Sequence, residues 1–260
     1  MKLDANNPND LIALFAHDLR GTLGSIKSFA ELLEHNGELN DTQRRWLERI
    51  YANVGRGLTA LNDMLLLSQM ESQQLELQPV EVRPLLQDAL HYVENLILER
   101  NLIVQIDIGI EAHQLVCDPR WFKHVLYNLL SNAAKYNEPD GHIYIETWQG
   151  NRTIFLRITD TGPGIPPEAL SRIFEKFYRV RGSKSDGSGL GLAIVRDIVE
   201  RHGGSISVES QLEEGTSFTL QMPLPTAERQ HESGEELDAL DDNAQEGADF
   251  TDYDDPSVVS

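Results

Sequence analysis

Two apolar stripes at helical spacing, separated by one short polar break, dominate the first quarter of the sequence. Leu11, Leu14, Phe15, Leu19, Leu23, Ile26, Ala30 and Leu33 form the first stripe, and Trp46, Ile50, Val54, Leu58, Leu61, Leu65 and Leu66 the second. Asn9 and Asp10 supply an N-cap for the first helix, and the polar segment Asn36 to Asp41 ends it and caps the next. Each stripe must be covered by something apolar. Two helices facing only each other make a thin core, so this pattern predicts a hairpin that completes a four-helix bundle with a second copy of the chain.

The remainder reads differently. Residues 72–80 are polar and end near Pro79, as a connector or first strand would. From about 81 to 224 helical and strand patterns alternate, with strands expected at 101–108, 114–117, 142–148, 153–159, 205–210 and 216–222. Asp118 as N-cap and Pro119 at the first helical position open a helix through 119–136. The expected architecture is α+β: the hairpin, then an α/β sandwich with a mixed, largely antiparallel sheet covered by helices on one face. The expected boundaries are 1–75, 76–225 and an acidic tail at 226–260.

Composition narrows the function. The formal net charge is -20, and Thr226 to Ser260 contributes twelve acidic residues against one basic residue, so the rest still carries about -9. Such a balance argues against nucleic-acid binding, which needs clustered Lys and Arg. The tail has too little apolar surface to offset ordering entropy and is expected to be disordered. It suits a solubilising extension, a docking element, or a competitor for the lid cations described below. The single cysteine, Cys117, excludes a disulfide framework and a cysteine-based zinc site. Neither a membrane-spanning run nor a signal peptide is evident, which fits a cytoplasmic chain.

Five short motifs carry chemistry. His17 lies between apolar helix positions with Asp18 beside it, and a neutral imidazole next to a carboxylate is a competent nucleophile near neutral pH. Asn128, Asn132 and Lys135 fall on one face of the helix through 119–136, two amides able to ligate Mg²⁺ and a cation able to meet phosphate. Asp160, Gly162 and Gly164 follow a strand, where glycine permits close ligand approach and a carboxylate can accept from an exocyclic amine. Phe174 to Arg179, with Arg181 and Lys184, brings cations to a loop. Gly187, Gly189 and Gly191, with Leu190 among them, open a further helix at an end suited to anions.

In this order, the motifs resemble the H, N, G1, F and G2 boxes of the sensor histidine kinases of two-component systems, and the resemblance runs from about residue 8 to 224. It implies a HisKA-type dimerisation and phosphotransfer hairpin joined to a Bergerat-type ATP-binding domain. His17 would be the phospho-acceptor and Asp18 its acid/base. Asn128 and Asn132 would hold Mg²⁺ and phosphates, with Lys135 on phosphate and Tyr136 against the nucleotide. Asp160 would read the adenine amine, with Gly162 and Gly164 shaping that wall. Arg179, Gly187, Gly189, Leu190 and Gly191 would serve the lid and the phosphate cradle. Relatives built for ATP hydrolysis place a glutamate where Asn128 stands, so Asn128 favours transfer over hydrolysis. The resemblance implies a homodimer and a response-regulator partner. Only about ten residues precede the first helix, so input is expected from a separate sensory protein or from further parts of a longer kinase. The alternative reading is a dimeric nucleotide-binding scaffold that regulates a partner kinase.

Two positions depart from the family pattern. Gly21 and Thr22 stand where a Thr-Pro pair is usual. Without the proline the helix loses its expected kink. Without a side chain at Gly21, four residues after His17, nothing positions a water for dephosphorylating the partner, so phosphatase activity is expected to be weak.

Overall fold

The computed structural model describes residues 8–180 and 187–224; Arg181, Lys184 and the acidic tail lie outside these, and side chains are described from Phe15 onward. Helices α1 (Pro8–His35) and α2 (Asp41–Ser72) form the hairpin. Since α1 already includes Pro8, Asn9 and Asp10 lie within its first turn rather than ahead of it. The start of α2 is locally encoded. Asn40 Oδ1 accepts from Gln43 N at 3.0 Å and Gln43 Oε1 accepts from Asn40 N at 2.9 Å, a reciprocal capping box. With no proline at position 22, α1 runs unbroken through Gly21.

Strand β1 (Gln78–Glu81) follows, then α3 (Val82–Glu99), β2 (Ile103–Ile108), a short 3₁₀ turn, β3 (Gln114–Cys117) and α4 (Pro119–Tyr136). Strands β4 (His142–Gln149) and β5 (Thr153–Asp160), helices α5 (Pro167–Leu170) and α6 (Gly191–Arg201), and strands β6 (Ser205–Gln211) and β7 (Gly215–Pro223) complete the described chain. The main sheet has the order β2-β4-β5-β7-β6; β2 runs parallel to β4 and every other pair is antiparallel. β1 and β3 form a separate antiparallel pair.

The sheet is apolar on one side. In β5 the residues Ile154, Leu156, Ile158 and Asp160 are buried while those between them are half-exposed. Against this face pack α3, α4 and α6, with Phe122, Val125, Leu126, Leu130, Ile143, Ile145, Leu156, Ile194 and Leu220 fully out of water. Each such side chain stabilises the fold by about 1.5–3 kcal/mol relative to exposure. The hairpin is different. Phe15, Phe29, Leu33 and Trp46 remain 64%, 67%, 60% and 59% exposed, so much of its apolar stripe faces outward.

The segment joining the two parts is held at several points. Arg201 donates to the Met70 carbonyl near the end of α2, and Glu76 N donates to Asp118 Oδ2 at 3.0 Å. Asp118 is fully buried; desolvation alone would raise its pKa, but Arg120 and the backbone N–H groups of Glu76 and Arg120 hold it well below the usual carboxylate range. Its own N–H donates to His202 Nε2 at 3.0 Å, which leaves His202 Nδ1 to donate to the Ile198 carbonyl at 2.7 Å.

Candidate functional site

The C-terminal end of β5 delivers Asp160 to the end of α4. Asp160 is 6% exposed and its Oδ1 accepts from Gly162 N at 2.9 Å. Burial raises its pKa to about 6, against the lowering effect of backbone donors from Gly162 and Thr216. A methyl group on Gly162 would sit 2.6 Å from the Tyr136 carbonyl, so the turn after β5 touches the last residue of α4. Gly164 has φ +72, a left-handed conformation that costs glycine little, and its α-carbon lies against the Gln211 carbonyl. Asn137 ties this corner together: its Nδ2 donates to the His142 carbonyl at 2.9 Å and its Oδ1 accepts from Thr161 Oγ1 at 3.2 Å.

Back along α4 stand Lys135, directly before Tyr136, and Asn132 about one turn away, both half-exposed, and then Asn128 about a turn further. Asn128 Nδ2 donates to the His124 carbonyl at 2.9 Å. This turns Oδ1 toward α6, where a methyl group on Gly191 would lie 2.6 Å from it. The glycine motif thus abuts the asparagine face of α4. Gly191 begins α6, Leu190 is its buried N-cap, and Gly189 O accepts from Phe177 N at 2.9 Å, joining the motif to the Phe174–Arg179 segment. Gly187 has open space around it. Arg179 is exposed at the end of the described part of that segment. Asp160 with Tyr136, Gly162 and Gly164 therefore gathers at one pole, the C-terminal end of α4, and Asn128 with Gly189, Leu190 and Gly191 at a second pole about two turns back.

Mg²⁺ ligation here would rest on neutral oxygens. Among the described residues no group of three or more His, Cys, Asp or Glu is placed to hold a metal ion. The Asn128 carboxamide oxygen at the α6 N-terminus fits an ion that takes most of its ligands from phosphates and water.

His17 and Asp18 lie on α1 with side chains 82% and 72% exposed, and His17 Nδ1 is 3.6 Å from Asp18 Oδ1. A methyl group on Gly21 would meet nothing within 4 Å. Sequence patterns do not reveal two further residues at the glycine pole. Ser188 Oγ donates to Asp63 Oδ2 of α2 at 2.5 Å, a contact spanning 125 residues of sequence with no local signal. Thr216 supports Asp160 in the same non-local way, and Asn137, which directly follows the asparagine motif, holds the neighbouring Thr161.

Residues 9–73 match the family described as His Kinase A (phospho-acceptor) domain, and residues 117–226 match the family of histidine kinase-, DNA gyrase B- and HSP90-like ATPases. These two matches together span more than half the chain and define its class, a phospho-acceptor hairpin joined to an ATPase-type nucleotide fold. The chain belongs to the sensor histidine kinases of two-component systems. It is 32% identical over 227 residues to the circadian input-output histidine kinase CikA of Synechococcus elongatus, covering 84% of this chain and 30% of that protein. It is 34% identical over 233 residues to the phosphate regulon sensor protein PhoR of Pseudomonas aeruginosa, covering 86% of this chain and 52% of that one. Full-length ShkA, solved in complex with AMPPNP, is similar with a TM-score of 0.64 at 27% identity, across 84% of this chain and 46% of that chain. The chain spans about half the length of these relatives, or less.

Proposed function

We propose that this chain uses Mg-ATP to phosphorylate its own His17 and passes the phosphoryl group to an aspartate of a response regulator. The observation that carries this reading is the meeting of Asn128 with Gly191 at one pole and Tyr136 with Gly162 at the other. The polar face of α4 then has a carboxylate suited to an amine at one end and an anion-suited helix start at the other. Adenine would take Asp160, against the wall made by Gly162, Gly164 and Tyr136. The phosphates would lie along Asn132 and Lys135 toward Gly187, Gly189, Leu190 and Gly191, with Arg179 on the loop beside them. Asn128 and Asn132 would hold Mg²⁺ with the phosphate oxygens, and the ion would neutralise charge on the transferred group.

In the transfer step a His17 ring nitrogen attacks the γ-phosphorus in line, the bond from phosphorus to the β–γ bridging oxygen breaks, and ADP leaves with its electron pair. Asp18 takes the other ring proton. Asn128 has no basic carboxylate to activate water, so the phosphoryl group is spared for His17. The exposed stripe of Phe15, Phe29, Leu33 and Trp46 supports a homodimeric bundle. We take 1–75 as the dimerisation and phosphotransfer unit and 76–225 as the catalytic unit, with input arriving from a sensory protein or from more of a longer chain. Among the described residues no helix is long and apolar enough to cross a membrane.

The test is label transfer from γ-labelled ATP. Acid-labile, base-stable label on the wild type and none on His17→Gln is expected. No label on a wild type that still binds ATP would sink the kinase reading in favour of a nucleotide-gated scaffold. Weak dephosphorylation of the regulator follows from Gly21, where the structure leaves room for a side chain. Gly21→Thr is expected to raise the dephosphorylation rate, and equal rates for variant and wild type would refute that role.

A further inference from the structure

The Asp63–Ser188 contact joins the hairpin to the glycine motif. Ser188 Oγ donates to Asp63 Oδ2 at 2.5 Å and accepts from Leu190 N at 3.1 Å, so the hydroxyl relays the start of α6 to a carboxylate from α2. Burial raises the Asp63 pKa above the usual carboxylate range, against the lowering effects of the Ser188 hydrogen bond and then of the Lys135 charge. Asp63 is thus a carboxyl group partly withdrawn from water, held by Ser188 of the glycine motif and near Lys135 of α4. Its height along the hairpin also matters. Arg20, three residues past His17, donates to Asn62 Oδ1 at 2.9 Å, which places Asp63 within about one helical turn of the His17 level.

We propose that Asp63 regulates phosphoryl transfer as a competitor for the phosphate end of the nucleotide site. Its carboxylate occupies the phosphate end of the nucleotide site from the hairpin side, and the ATP phosphates must displace it from Ser188 before the γ-phosphoryl group can reach His17. The inference rests on the nucleotide reading above and adds the competitor that regulates that site. Two anions cannot share Ser188 and Lys135 without strong repulsion, so ATP and the Asp63 contact exclude each other. The adenine pole, at Asp160, lies toward the other end of α4 and is untouched by this exchange. The contact therefore taxes ligands that carry phosphates and spares those that do not.

The experiment compares full-length wild type with Asp63→Asn, titrated by calorimetry with Mg-ATP and separately with adenosine. Asp63→Asn keeps the shape and removes the charge. Its ATP Kd is expected to fall about fivefold or more, its adenosine Kd to stay unchanged, and the KM for ATP in His17 labelling to fall with the Kd. ATP affinity unchanged or weakened would overturn the proposal. Equal movement of ATP and adenosine would also overturn it, because a purely structural contact acts on the whole site. Asp63→Ser carries the same comparison if thermal melting shows the asparagine variant unfolded. A wild type that binds neither ligand would overturn the nucleotide reading and this inference together, whereas a wild type that binds both with no charge effect at position 63 would overturn this inference alone.

Discussion

The hairpin and the α/β unit solve the same problem, the covering of apolar surface, in opposite ways. The α/β unit closes on itself: Phe122, Leu126, Ile143, Ile145 and Leu156 are fully buried within one chain. The hairpin buries Ala16, Ala30, Leu47 and Val54 along its seam and leaves larger side chains such as Phe15, Phe29 and Leu33 outside. One part is self-sufficient, and the other is half of an object. A signalling enzyme gains from this division. A rigid nucleotide site needs a closed core, and a phospho-acceptor that answers to partners needs a surface that depends on them.

The largest expected effect tests the second half of that comparison. Charges placed on the open stripe by Phe29→Glu with Leu33→Glu should abolish dimerisation, measured by light scattering, while nucleotide binding persists. A dimer that survives both charges would show that the stripe is not what a second copy covers. Phe122→Ala tests the closed core. It should cost about 3–5 kcal/mol of stability, seen as loss of the α/β unit's melting transition or a large drop in its midpoint. A smaller change would mean that the core yields more than its burial suggests.

The smallest effect concerns Asp160, the proposed adenine pole. Asp160 has its pKa raised to about 6 by burial, so folding is favoured by its protonated form. Its contribution to stability is complete below the unfolded value near pH 4 and is lost as pH rises through about 6, a change of order 3 kcal/mol. In the proposed binding mode, an adenine amine donating to the carboxylate would offset part of that cost. Adenosine should therefore bind about tenfold more weakly at pH 5 than at pH 7. Asp160→Asn should bind weakly at both values, with a flat profile by calorimetry. A wild-type affinity independent of pH would remove Asp160 from the site.

Legibility in the sequence follows the range of the interactions. The capping box at Asn40, the N-cap at Asp118 and the alternation in β5 are set within a few residues, and the structure has helix and strand at those places. Helix α3 lacks so clear a start: Glu81 caps it without a side-chain hydrogen bond, and its span is visible only as part of a helix–strand alternation. The first turn of α1 shows the opposite error, since Asn9 and Asp10 have capping chemistry but lie inside a helix. Among the residues of the proposed site, Asn128, Asn132, Lys135, Asp160 and the glycines stand out because their spacing is local. Asp63 does not, because what singles it out is Ser188, far away in sequence. Asp118 is half legible: its cap on Arg120 is local, but its hold on Glu76 and the link to His202 exist only once the chain has folded.

Helix α6 has one more consequence. Its eleven residues make a rod of about 16 Å, fastened near its start by Ser188 to Asp63 and at its end by Arg201 to the Met70 carbonyl. Both fastenings are on α2, seven residues apart in sequence. A rod pinned twice to one beam cannot pivot about either pin while the other holds. A movement of α2 along this short stretch is therefore felt at both ends of the rod together.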